Sequence, residues 1–259
     1  MVEIQKIIDI AIGAGTKIIE IYNSDNVDVE VKSDNSPLTK ADLASHNFII
    51  EQLNSLYPSI PILSEEGNDI LYEERKYWER FWLVDPLDGT KEFIKKNGEF
   101  TVNIALVENN EPVLGIIYAP AYKNVNYSDS FPGVLYYGEK KAGSFKQIAD
   151  NRVIKLPSVD YNGIITAVRS RSHSSSKEEE IFKEYHVNKT ISVGSSLKFC
   201  FVAEGLAQIY YRHGPTNEWD VAAGYAIAKY AGAVISGLSF NKENLLNSSF
   251  VVENITKRN

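Results

Sequence analysis

Three groups of acidic residues stand where an apolar strand ends or a helix begins. Asp85-Pro86-Leu87-Asp88-Gly89-Thr90 follows the apolar run 80–84, Glu65-Glu66 follows Ile62-Leu63, and Asp220 follows Glu218-Trp219 at the start of a long helical pattern. In the first group two aspartates lie three apart with a proline between them. Pro86 fixes the backbone, so both carboxylates can point into one cleft. Two carboxylates that close repel each other unless a cation shares them. Oxygen ligands without His or Cys suit Mg²⁺. Gly89-Thr90 opens a short helical stretch whose free N–H groups suit a phosphate. Metal-binding acids beside a phosphate cradle suggest metal-assisted phosphoryl hydrolysis. Each group has a plainer meaning when taken singly. Asp-Pro-x-Asp-Gly is a turn sequence, Glu65-Glu66 is a solvated loop, and Asp220 is a favourable first-turn charge. The combination favours the metal site.

The surrounding pattern predicts the elements that position these groups. Ile4, Ile7, Ile8, Ala11, Gly15, Ile18, Ile19 and Tyr22 recur at helical spacing over 4–22. A second helix covers 42–57 and ends at Pro58. Residues 61–63 form a short strand, and 80–84 a buried strand expected to stop at Asp85-Pro86. Residues 101–118 read as a hairpin turning at Asn109-Asn110, with weaker strands near 124–128 and 133–145. Beyond Pro157 strands and helices alternate: strand 163–168, helix 177–185, strand 190–193, helix 196–204 stopped by Gly205, strand 207–211 and helix 218–231 stopped by Gly232. The chain therefore reads as two halves, 1–157 with α+β character and 158–259 with α/β character.

The whole chain of 259 residues carries a net charge of −7, with 44% hydrophobic and 24% charged residues. That composition excludes a disordered chain, a collagen and a coiled-coil rod. The negative balance argues against binding a nucleic-acid polymer, which needs an excess of Lys and Arg. It leaves room for a small anion held by local charges. One cysteine, Cys200, excludes an internal disulfide and a cysteine-based zinc cluster. No apolar run reaches transmembrane length and no signal peptide is visible, so a soluble, cytoplasmic protein is expected. Oligomeric state is not legible.

Asp85 to Thr90 and Trp219 to Gly224 resemble the two signatures of the inositol monophosphatase-like, lithium-sensitive phosphatases, and Ser64-Glu65-Glu66 is similar to the metal-binding glutamate of that family. Over Asp85–Leu106, Gly194–Gly205 and Gly214–Asp220 the match is to the bacterial 3′(2′),5′-bisphosphate nucleotidase branch. The resemblance implies a layered αβαβα sandwich of the sugar-phosphatase type. It implies hydrolysis of adenosine 3′,5′-bisphosphate (PAP) to AMP and phosphate in sulfur assimilation, with the sulfated nucleotide PAPS as a related substrate. It also implies two or more Mg²⁺ ions. Glu65, Asp85 and the Leu87 carbonyl would hold one, and Asp85, Asp88 and Asp220 the second. The phosphate would meet the N–H groups of Gly89 and Thr90. Thr90, hydrogen-bonded to Asp42, would accept a proton from the attacking water or orient it. On the substrate side the candidates are Ser195, Ser196, Lys198, Arg212, and the loop residues Arg171 and His173. Outside the resemblance, Lys198 and Arg212 read as solvated surface charges. An inositol or sugar-bisphosphate phosphatase would share every metal ligand, and a non-catalytic metal- or nucleotide-binding module is the third possibility.

Other motifs carry less. The four histidines have no metal spacing. Cys200 lies among Phe199, Phe201 and Val202 and reads as a buried small hydrophobe. Gly13-Ala14-Gly15 lacks a preceding strand and reads as close helix packing.

Overall fold

The computed structural model describes residues 2–24, 29–31, 37–122, 133–148, 152–171 and 175–255. The first half runs α1 (Ile4–Tyr22), β1 (Val29–Val31), β2 (Pro37–Thr39), α2 (Lys40–Leu56), β3 (Ile62–Ser64), α3 (Tyr72–Arg75), β4 (Arg80–Asp88), α4 (Thr90–Ile94), β5 (Thr101–Glu108), β6 (Glu111–Ala119), β7 (Val134–Glu139), β8 (Gly143–Gln147) and β9 (Val153–Lys155). The second runs β10 (Thr166–Arg169), α5 (Ser176–Glu184), β11 (Lys189–Ser192), α6 (Leu197–Glu204), β12 (Ile209–Arg212), β13 (Thr216–Asn217), α7 (Glu218–Tyr230), β14 (Val234–Ser236), β15 (Leu246–Asn247) and β16 (Phe250–Glu253).

Strands β3 to β9 form one seven-stranded sheet in sequence order, all antiparallel except the β3–β4 pair. A five-stranded sheet in the order β11-β10-β12-β16-β14 follows. Its β10, β11 and β12 are parallel, and β16 runs antiparallel to both of its neighbours, β12 and β14. Helices α1 and α2 cover one face of the first sheet, α6 and α7 lie between the sheets, and α5 covers the outer face of the second. This is the expected αβαβα sandwich.

Period-two alternation builds the layers. Trp82 and Val84 of β4 face the α1–α2 layer, while Phe81 and Leu83 face the middle helices. The helix α1 buries Ile7, Ala11, Ala14 and Ile18 on that first face. Gly13 and Gly15 are packing residues as expected: a Cβ on Gly15 would lie 2.4 Å from the Tyr118 ring, and one on Gly13 2.5 Å from Phe48. The middle layer is tighter still. A Cβ on Gly115 of β6 would meet the Ala223 carbonyl oxygen at 2.3 Å, so α7 lies in backbone contact with the sheet.

The short elements β1, β2, α3, β9, β13 and β15 were not expected from the sequence, and other details differ as well. The strand from Arg80 does not stop at Asp85 but runs to Asp88, with its register against β5 shifting between Asp85 and Asp88. Pro86, which lacks a ladder donor, falls inside that irregular stretch, where a proline is tolerated. Strands β14 and β16 complete the second sheet beyond Gly232, where segments this short show no readable alternation. The strand expected near 124–128 lies outside the described residues.

Candidate active site

The acidic cluster follows from strand parity. Leu63 and Leu83 point to the α7 side of the first sheet, so Glu65 and Asp85, each two positions later, emerge on that side. The Glu65 N–H donates to the Val84 carbonyl at 3.1 Å, which extends the β3–β4 pairing and sets the two acids side by side. Asp220 arrives from the other direction, in the first turn of α7. Its Oδ2 accepts the Asn217 N–H at 2.9 Å as half of a capping box. Carboxylate oxygens of Glu65, Asp85 and Asp220 all lie within 4.8 Å of one another.

Asp85 is only 1% exposed. Burial, then the charges of Glu65, Asp88 and Asp220, push its carboxyl well above the ordinary range. Asp220 is pushed up by burial, then by Asp88 and Glu65. Such crowding of acids is stable in ionised form only with a cation among them, and the all-oxygen donor set is that of a hard divalent ion. These residues therefore fit a metal of the Mg²⁺ class.

Asp88 flanks this cluster, with its Oδ2 accepting from Ser195 Oγ at 2.9 Å and from the Ser196 N–H at 2.6 Å. Leu87 is buried, and its N–H donates to Asp85 Oδ1 at 3.1 Å. Ser45 of α2 donates to the Pro86 carbonyl at 2.7 Å and holds the bulge from behind. Gly89 has φ +89° at the N-terminus of α4, a conformation that favours glycine. Thr90 Oγ1 donates to Asp42 Oδ1 at 3.2 Å. The other Asp42 oxygen takes the N–H and the hydroxyl of Thr39, at 2.8 and 2.5 Å. Asp42 thus caps α2 and orients Thr90 with one carboxylate. Burial pushes its carboxyl up, against the Thr39 bonds that lower it.

A pocket opens from Asp88 and Asp220 toward Lys198, Arg212 and Arg171. Lys198 is 7% exposed, so it is not the solvated surface charge that its type suggests. Burial pushes its ammonium down to about 8, although Asp88 favours the charged form. The ammonium bonds the Ser195 carbonyl and lies over the Tyr210 ring. Arg212 donates from Nη1 to Ser170 Oγ at 3.2 Å, while its buried Nε has no partner among the described residues. Arg171 is engaged bidentately by Glu99. His173 lies outside the described residues. Ser195 and Ser196 border the pocket, but their donors named above are spent on Asp88. Cys200 is buried in the central core and its thiol is pushed up by burial, in keeping with an inert side chain.

Sequence reasoning missed Glu92, Glu99, Thr101 and Asn103, all buried beside the site. Lone acids and short polar residues in a strand give no signal of burial. For Lys198 there was one, because its neighbours Leu197, Phe199, Cys200, Phe201 and Val202 leave no polar face to share.

Comparison with known proteins agrees with this geometry. The inositol monophosphatase family profile matches residues 2–259. The 3′(2′),5′-bisphosphate nucleotidase CysQ of Escherichia coli K12 is 47% identical over 231 residues, covering 89% of this chain and 88% of that protein. Its namesake in Salmonella typhimurium LT2 is 44% identical over 262 residues, 96% and 98% of the two chains. The crystal structure of CysQ from Bacteroides thetaiotaomicron, described as a bacterial member of the inositol monophosphatase family, superposes with a TM-score of 0.83 at 41% identity, covering 98% of this chain and 97% of that one. With fold, acidic cluster and full-length similarity in agreement, the chain belongs to the inositol monophosphatase family.

Proposed function

We propose that the protein is a Mg²⁺-dependent 3′(2′),5′-bisphosphate nucleotidase that hydrolyses PAP to AMP and phosphate, with PAPS as a related substrate, in sulfur assimilation. The observation that carries this reading is the single pocket joining Asp88 and Asp220 to buried Lys198 and to Arg212. Acids at one end suit a phosphate accompanied by a divalent cation. Cations at the other end suit a second phosphate on the same substrate. The similarity to proteins named as bisphosphate nucleotidases supports the same assignment.

In this reading Glu65, Asp85 and the Leu87 carbonyl would hold one ion, and Asp85, Asp88 and Asp220 would hold a second. When bound, such ions supply Lewis-acid polarisation of the phosphoryl group and lower the pKa of a water. The chain's own groups do the positioning. The N–H groups of Gly89 and Thr90 receive the phosphate to be removed. Thr90 gives its hydrogen to Asp42, so its oxygen is an acceptor that orients the attacking water toward phosphorus. Water attacks in line, and its oxygen bonds to phosphorus as the bond from phosphorus to the 3′ ribose oxygen breaks. Of the two water protons one stays on the released phosphate and the other ends on the ribose oxygen, which leaves as a hydroxyl. Ser195, Ser196, Lys198, Arg212 and His173 form the substrate side, and Lys198 and Arg212 take the second phosphate. The site joins residues of both proposed halves, 1–157 and 158–259. None of the described helices is long and apolar enough to cross a membrane, and we place the reaction in the cytoplasm.

The test is phosphate release from PAP, inositol 1-phosphate and fructose 1,6-bisphosphate with Mg²⁺. Release from PAP far above the others, abolished by Asp88→Ala, supports the nucleotidase. Preference for the inositol or sugar substrate overturns the substrate assignment and keeps the hydrolase. Mg²⁺ binding with no release from any of them overturns the enzyme.

A further inference from the structure

Glu99 precedes β5 and takes no part in the scheme above, yet it is 7% exposed and fully engaged. Its Oε2 accepts from Arg171 Nε at 2.5 Å and from the Gly194 N–H at 2.8 Å, and its Oε1 accepts from Arg171 Nη2 at 2.6 Å. Glu99 belongs to the first sheet's side of the molecule. Arg171 follows β10, and Gly194 lies between β11 and α6. One carboxylate therefore ties two loops of the second sheet to the first, at the edge of the pocket.

The Gly194 turn is tightly specified. A Cβ on Gly194 would lie 2.7 Å from Glu92 Cγ and 2.9 Å from the Glu99 carbonyl oxygen. The next residue, Ser195, has φ +57°. A non-glycine residue keeps that conformation only where its surroundings hold it. Here they do. Thr101 Oγ1 lies 2.5 Å from Ser195 Oγ and 2.8 Å from Ser196 Oγ, and Ser196 Oγ donates to Asn103 Oδ1 at 2.8 Å. The product of the turn is the pair of donors on Asp88 Oδ2.

The geometry points to Glu99 as a positioning residue for Asp88, acting through the Gly194–Ser196 turn, with Arg171 locking the Glu99 carboxylate in place. This inference rests on the reading of Asp88 as a cation ligand. Glu99 touches neither substrate nor ion. It sets the turn, the turn commits Asp88 Oδ2, and Asp88 presents its other oxygen to the cation. Groups one hydrogen bond removed from a ligand, as Ser195 and Ser196 are from Asp88, typically change metal affinity about 10- to 100-fold when removed, and Glu99 acts through them from one step further out.

The experiment is calorimetric titration of the metal-free protein with Mg²⁺ alone, on wild type, Glu99→Ala, Glu99→Gln, Asp88→Asn and Glu99→Ala/Asp88→Asn. Circular dichroism checks folding, and Glu111→Gln, which removes a charge from the Lys140–Glu111–Lys229 ion pairs, serves as control. Glu99→Ala, one step beyond those partners, is expected to weaken Mg²⁺ binding about 10-fold, the low end of that range. Glu99→Gln keeps an acceptor for the Gly194 N–H and loses less. The double variant is no worse than Asp88→Asn alone, because both changes act on one ligand. Wild-type Mg²⁺ binding by Glu99→Ala, or full additivity in the double variant, overturns the inference. An Asp88→Asn protein that binds Mg²⁺ like wild type overturns the ligand reading, and the inference with it. Should Glu99→Ala fail to fold, Glu99→Gln and Arg171→Gln carry the test, each with a smaller loss expected and with unchanged binding overturning the inference.

Discussion

Thr90 Oγ1 and Asp42 Oδ1 are 3.2 Å apart across 48 residues of sequence. The bond joins the end of the acidic strand to the cap of α2. Asp42 also accepts both Thr39 donors on its other oxygen, and its Oδ1 is a nearer acceptor for the Thr90 hydrogen than the Leu87 carbonyl at 3.4 Å. Asp42→Asn replaces one acceptor oxygen with a donor and disturbs this polarity. Loss of a positioned proton-transfer group typically costs about 10²–10⁴-fold. Asp42→Asn and Thr90→Ala are each expected to lower kcat for PAP within that range, while Thr90→Ser retains most of it. Steady-state phosphate release measures this, and a Thr90→Ala protein with wild-type kcat removes Thr90 from the mechanism.

Metal removal and pH are coupled through Asp85 and Asp220. Both carboxyls are raised in the folded chain, so between the unfolded and folded values the native state holds more protons than the unfolded one. Stability of the metal-free protein is therefore expected to fall as pH rises through the raised values. Mg²⁺ binds the native state selectively, so it raises Tm and flattens that dependence. Thermal melts from pH 5 to 8, with chelator or with Mg²⁺, read both effects. A metal-free Tm that rises across this window contradicts the assignment.

Lys198 makes a prediction about KM. Its ammonium is held down to about 8, so it is charged below that pH and neutral above it. A charge-assisted bond to a phosphate is worth about 1.5–3 kcal/mol. The KM for PAP is expected to rise as pH passes upward through about 8, and Lys198→Gln to give a KM that is higher at neutral pH and nearly flat across this range. A wild-type profile flat from pH 6.5 to 9.5 removes Lys198 from phosphate binding.

The ease of reading differed sharply between these groups. Asp85, Asp88 and Asp220 were legible because turn-forming and cap-forming residues mark where strands end and helices begin. Strand parity then brought Glu65 and Asp85 to one face. Lys198 was legible as a site residue only through the family resemblance, and Glu99 not at all without the fold. Charged side chains default to solvent, and only the fold encloses these two, Lys198 over Tyr210 of β12 and Glu99 against Arg171 and the Gly194 N–H. The end of β4 was misplaced for a related reason: Pro86 stops a regular ladder but is tolerated in an irregular one, and only the pairing with β5 distinguishes the two.

The Lys146–Glu204 pair tests the middle layer. Lys146 Nζ meets Glu204 Oε1 at 2.7 Å with side chains 0% and 7% exposed, and Tyr136 donates to the same carboxylate at 2.8 Å. Removing one partner of a buried pair costs about 3–5 kcal/mol, because the other charge is left unpaired. Lys146→Met is expected to destabilise by that order, and Lys146→Met/Glu204→Gln by less. Urea unfolding measures both, and a double variant less stable than the single one would show that the unpaired charge is not the main cost.

Asp220 stands at the head of α7, between the two sheets and late in the chain, while Glu65 and Asp85 come early. During synthesis the first sheet can form before α7 has emerged, but the three-carboxylate cluster cannot. A nascent chain thus carries no complete site until α7 docks against Gly115. The onset of hydrolysis becomes a clock for the docking of α7.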